Sequence, residues 1–198
     1  MHARVNIIFG RTDLVEDGIS HLEESDRVAV EATDGNRGLT TLADRAAGVV
    51  VAVSYWDEPV QAAAGALTRA RADAVTAAGG DLVVENFEVA SQELLTVPAA
   101  GAVVRMVRVR IELERLTDAV RFVHDEVLRR LRVEAGFCSA ELMVDRESGS
   151  GLLLAAWTGE EAATRTDTLI DRVRAEARAR AGTTFPRSET YAVTGTTT

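Results

Sequence analysis

The sequence predicts an α+β fold in which one β-α-β-β-α-β unit is used twice. Three observations predict it. The only two tryptophans, Trp56 and Trp157, end the similar apolar runs VAVSYW and LLLAAW, 101 positions apart. Each run is followed by a polar break and an Ala-rich stretch that closes on glycine. Each half also opens on an apolar or alternating run followed by a long helix-compatible segment, so the order of elements repeats along with the motif.

The elements follow in chain order. Residues 3–10 (ARVNIIFG) form the first strand, and 14–32 are helical by composition. The turn DGNRG at 34–38 leads to a strand at 39–48 and a second at 49–56. Residues 59–78 are Ala-rich and helical, stopped by Gly79-Gly80, and 81–90 close the half as a strand. The second half opens on AVVRMVRVRIELE (102–114), which alternates strongly, as a half-buried strand should. A helix at 116–135 stops at Gly136; strands at 138–147 and 151–158 flank the turn SGSG; a helix at 160–181 stops at Gly182; a last strand lies at 188–195.

Each half is therefore a ferredoxin-like unit, residues 1–92 and 102–198, joined by a linker at 93–101 with Pro98 as its rigid point. Projected at 100° per residue, Leu116, Ala119, Val120, Val123, Val127 and Leu131 share one arc, which covers one face of a four-stranded sheet. The runs VVVAV and LLLAA are apolar at successive positions, so the opposite face needs cover too. Neither half has helices left for it. Packing the two sheets face to face supplies that cover within one chain, as an intrachain dimeric α+β barrel.

Composition narrows the function classes. Apolar residues make up 46% and charged residues 27%, the balance of a globular chain. No run approaches the ~20 apolar residues of a membrane span, and the N-terminus lacks a signal-peptide pattern, so a cytoplasmic location is expected. A formal charge of -9 argues against nucleic acid and anionic membranes as partners. All 22 cationic side chains are Arg, which removes lysine chemistry such as Schiff-base formation. Cys138 is the only cysteine and no His/Cys/carboxylate cluster has ligand spacing, so neither a disulfide nor a metal site is expected.

The stretch Glu134-Ala135-Gly136-Phe137-Cys138-Ser139-Ala140-Glu141-Leu142, then Leu152 to Trp157 and Glu160-Glu161-Ala162, resembles the core pattern of antibiotic biosynthesis monooxygenase domains. The first half resembles it more weakly, through Gly38-Leu39, Tyr55-Trp56 and Glu58, so most of the chain looks like two tandem copies. The resemblance implies the dimeric α+β barrel fold. It also implies, for cofactor-free members, a pocket between sheet and helices for an electron-rich phenolic substrate whose own carbanion reduces oxygen. Haem-degrading relatives carry a Trp and an axial His on the second helix. Residues 61–75 and 162–176 hold neither, which disfavours haem and leaves no cofactor implied.

Candidate residues follow from both lines. Asn6 is the one uncharged polar residue within VNIIF and needs a hydrogen-bonding partner if buried. The second half has Val107 or Arg108 there, so a site at Asn6 would be one-sided. His124, on the flank of an apolar arc, is a candidate general base, and Tyr55 a candidate proton donor. His21 lies about 90° from its helix's apolar arc and is expected at the surface. Trp56, Trp157, Phe87 and Tyr191 are candidate substrate walls, with packing as the alternative use of each. The expected ligand is a small hydrophobic or aromatic molecule, and association of two chains into a homodimer is compatible with the sequence. A cofactor-independent monooxygenase for an aromatic, quinol or polyketide-like substrate is the leading reading. A non-catalytic binder of hydrophobic ligands or a structural protein is the alternative.

Overall fold

The computed structural model describes residues 1–59 and 65–197, so the first part of the helix expected at 59–78 lies outside the described residues. Within the first repeat are β1 (His2–Phe9), α1 (Val15–His21), α2 (Arg27–Glu31), β2 (Asn36–Asp44), β3 (Val49–Trp56), α3 (Gly65–Ala78) and β4 (Asp81–Leu94). The second contains β5 (Val103–Arg110), α4 (Leu116–Phe122), α5 (Leu128–Arg132), β6 (Phe137–Val144), β7 (Ser150–Trp157), α6 (Glu160–Arg165), α7 (Asp167–Ala181) and β8 (Thr184–Thr197). The strand order β1-β3-β2-β8-β5-β7-β6-β4 is that of an α+β barrel, the class the sequence predicts. Among the described residues no helix is long and apolar enough to cross a membrane.

The chain forms two compact units, Met1–Asn86 with the chain from Ala192 onward, and Phe87–Tyr191. In the first, β3 lies antiparallel between β1 and β2, and β2 pairs with the end of β8, Leu39 opposite Thr197 through Ala43 opposite Ala192. In the second, β7 lies between β5 and β6, and β6 pairs with the end of β4, Glu88 opposite Val144 through Leu94 opposite Ser139. Each unit is thus completed by the last strand of the other repeat. Both strands are 14 residues long and outrun the expected 81–90 and 188–195, because their ends find this second partner.

In the first unit a polar cluster holds the exchanged strand. Glu23 Oε1 accepts hydrogen bonds from Thr41 and, at 3.1 Å, from Thr194, while Arg27 Nε donates to Glu23 Oε2 at 3.0 Å. Gly195 lies beneath this pair, where a Cβ would come within 2.4 Å of the Arg27 guanidinium.

The helices depart from the expected continuous α-helices in two ways. A π turn joins α1 to α2 at Leu22–Asp26, and another joins α4 to α5 at Val123–Val127, so the feature repeats with the sequence. Between α6 and α7 the helix breaks at buried Thr166, whose hydroxyl donates to the Ala163 carbonyl at 2.7 Å and competes with the helical ladder. The helix stops fall as expected: Gly79 and Gly182 adopt φ of 62° and 58°, the left-handed conformation that glycine enters at least cost.

Candidate functional site

Strand geometry gathers the polar residues of the first unit. On β1 and β3, Asn6 lies opposite Ala52, Arg4 opposite Ser54 and His2 opposite Trp56. Alternation places Arg4 and Asn6 on one face with Ala52, Ser54 and Trp56, while Tyr55 points the other way. The helices add Asp26 from the first π turn and Arg71 from α3. Together these residues line a cleft whose apolar wall is Val30, Leu39, Leu67 and Ala70. Counted to its open side the cleft holds about 410 Å³, but its free interior is only about 20 Å³. That is room for about one water, so a larger ligand must part the walls.

Trp56 Nε1 donates to Ser54 Oγ at 2.9 Å, and Ser54 in turn donates to the Arg4 carbonyl at 3.4 Å. Arg4, only 7% exposed, donates through Nε to Asn86 Oδ1 at 2.9 Å. Its guanidinium pKa is lowered by burial and by the nearby charge of Arg71. Asn6 Oδ1 is buried without a hydrogen-bond partner among the described residues, an arrangement that costs about 1–3 kcal/mol unless something fills it.

Asp26 is 6% exposed, and its carboxyl is pushed up to about 6. Burial is the main cause, Asp73 adds to it, and His21 and Arg71 oppose it. His21 Nε2 stands 3.3 Å from Asp26 Oδ1.

The second unit lacks this chemistry at matching positions. In its register Val107 faces Leu153, Arg105 faces Ala155 and Val103 faces Trp157, so valine stands where Asn6 does and alanine where Ser54 does. The residue matching Asp26 is Val127, in the second π turn. Val127, Ala155 and Trp157 belong to a core with Phe122, Leu131 and Phe137. Trp157 Nε1 has no hydrogen-bond partner among the described residues, the counterpart of Trp56 without its serine. Trp157 packs edge-on against Phe137 at 5.4 Å. A second cavity, about 30 Å³, is apolar except for Thr183. Among the described residues no three His, Cys, Asp or Glu side chains converge on a metal-sized site.

The other residues nominated from sequence lie elsewhere. Half-buried Tyr55 does not line the cleft. His124 is exposed on the second π turn, its Nδ1 3.1 Å from Ser91 Oγ. Phe87 and Tyr191 are buried strand residues of the second unit, and burial beside Glu189 raises the Tyr191 hydroxyl.

Sequence reasoning passed over Arg4, Asp26, Ser54 and Arg71. A signal was there: Asp26 continues the apolar stripe Val15, Ile19, Leu22, Val30, and at the repeat offset it aligns with Val127. A carboxylate in an apolar stripe, with valine at the matching position, is the pattern of a buried titratable group. Replacing Ser54 by Ala removes the acceptor of Trp56 Nε1. A stability loss of about 1 to 2 kcal/mol is expected, read as a lower midpoint in urea at unchanged slope.

No family model matches the chain. The uncharacterized protein Rv2557 of Mycobacterium tuberculosis is 29% identical over 167 residues, 83% of this chain and 75% of its own length. Among solved structures, a monooxygenase candidate of Fusobacterium nucleatum superposes with a TM-score of 0.73 at 12% identity, covering 98% of this chain and 93% of that one. An anthrone oxidase-like protein reaches 0.64 at 13% identity, covering 99% and 92%. A ferredoxin-fold protein of Listeria monocytogenes related to antibiotic biosynthesis monooxygenases reaches 0.56 at 12% identity, covering 96% and 94%. Across nearly its whole length the chain has the fold of these proteins, and at such identities the likeness is one of fold.

Proposed function

We propose that the first unit's cleft is a cofactor-independent oxygenase site for a small aromatic hydroxy compound of the quinol or anthrone type. The observation that carries this reading is the buried Asp26 carboxyl, pushed up to about 6 by burial, in a cleft lined by Trp56 and by Asn6, whose Oδ1 has no hydrogen-bond partner among the described residues. Above pH 6 Asp26 is ionised and accepts the acidic proton of the substrate, as a general base matched to its operating pH. The Asn6 carbonyl accepts a hydrogen bond from a substrate hydroxyl and so orients the ring beside Trp56. Arg4 and Arg71 stabilise the anion as its charge develops.

The electron-rich anion reduces dioxygen, and a C–O bond forms at the deprotonated carbon. With an anthrone, loss of water then leaves the quinone, one ring methylene and one O₂ becoming a carbonyl and one H₂O; with a hydroquinone, one ring C–H is oxygenated and the hydroxyquinone and one H₂O result. Asp26 takes the role of base in preference to His124, which is engaged with Ser91 and does not line the cleft.

Oxygen uptake with anthrone and a hydroquinone panel in metal-free buffer tests the reading. Stoichiometric uptake with quinone formation is expected, with a rate that rises through pH 6. Tight binding of the same compounds without oxygen consumption would make the chain a ligand-binding protein.

A further inference from the structure

His21 and Asp26 are five residues apart. In an α-helix that spacing turns two side chains about 140° away from each other. The π turn Leu22–Asp26, closed by a bond from the Arg27 amide to the Leu22 carbonyl, removes the separation and brings Nε2 to 3.3 Å from Oδ1, an ion-pair distance at which a small rotation of the ring aligns a hydrogen bond that neither atom makes at rest. The two side chains differ in access: 24% of His21 is exposed against 8% of Asp26. The second repeat keeps the turn but sets Phe122 and Val127 at the same two places, so the turn belongs to the fold and the dyad to the first repeat alone.

We propose that His21 is the proton exit of the first unit, carrying protons between Asp26 and bulk water. Asp26, having taken a proton, gives it to His21 Nε2; the ring releases the proton on Nδ1 to water and returns to its starting tautomer by exchange with solvent. The carboxylate is regenerated, and no electrons move. His21 acts through Asp26 and is a positioning residue, not a catalytic one. The other charged groups around Asp26 are Asp73 and Arg71 from α3 and Arg4 from β1, none of which carries an imidazole. The relay's use rests on the oxygenase reading, but its existence is measured without substrate.

The experiment compares the full chain with His21→Asn and with His21→Phe, which copies Phe122. The Asp26 carboxyl is followed by ¹³C NMR against pH, and folding by thermal melting. Because His21 favours the charged carboxylate, both variants are expected to titrate Asp26 higher than the wild type. With a quinol that the wild type oxidises, kcat is expected to fall about tenfold at unchanged KM, and added imidazole to restore it in His21→Asn. An Asp26 titration unchanged in both variants, or a loss that imidazole leaves untouched, overturns the relay. A wild type that consumes no oxygen instead overturns the oxygenase reading, and the titration then decides the relay alone.

Discussion

Asp26→Asn is expected to abolish oxygen uptake while making the protein more stable at neutral pH. As general base Asp26 is worth about 10² in rate or more, or about 3 kcal/mol of barrier. Its burial has the opposite effect on folding. The folded-state value near 6 lies above the ordinary 3.8, so between those two values the folded chain binds a proton that the unfolded chain does not. Stability therefore rises as pH falls through 6, and above pH 6 the buried charge costs about 3 kcal/mol. Asn removes that cost. Denaturant unfolding of both proteins from pH 4 to 8 checks the sign: the variant is the more stable above pH 6, and the gap closes toward pH 4. Carboxylates whose values are lowered by partners, such as Asp57 with Arg37 and Glu176 with Arg130, weaken both proteins equally in acid and cancel in the comparison. A gap independent of pH would show that Asp26 is not the buried acid.

Val127→Asp, which writes the first repeat's residue into the second, is expected to be the most damaging single change. Val127 is 1% exposed among Phe122, Leu131 and Trp157, with phenylalanine where the first unit has His21. A carboxylate there has no imidazole to meet and displaces apolar contacts, at a cost of about 4 kcal/mol or more. At pH 7 the variant is expected to be largely unfolded by circular dichroism, with partial recovery near pH 4 as the carboxyl protonates. Asp26→Val, the reciprocal swap, is expected to fold and to melt above the wild type. A Val127→Asp protein as stable as its parent would mean that the second unit is not the packed counterpart of the first.

Parts of this site were legible in the sequence. Asn6 declared itself as the lone amide in an apolar strand opposite a valine in the other repeat. Trp56 did so as one member of a repeated strand end. Asp26 carried the same signal but stood among the acidic residues of LEESD, which reads as a solvated surface unless each position is matched to its twin. His124 drew attention because it flanks an apolar arc. Helical projection cannot show that its ring nitrogen lies beside Ser91, 33 residues away on a strand.

The sequence by itself determined the order of strands and helices, the glycine stops and the α+β class, because these depend on local periodicity and backbone freedom. Only the tertiary structure decided which strand completes which unit, since the alternating patterns of β4 and β8 suit either sheet. It also decided the dyad. A projection at 100° per residue holds His21 and Asp26 apart, and one π turn, which leaves no mark on the apolar pattern, brings them together.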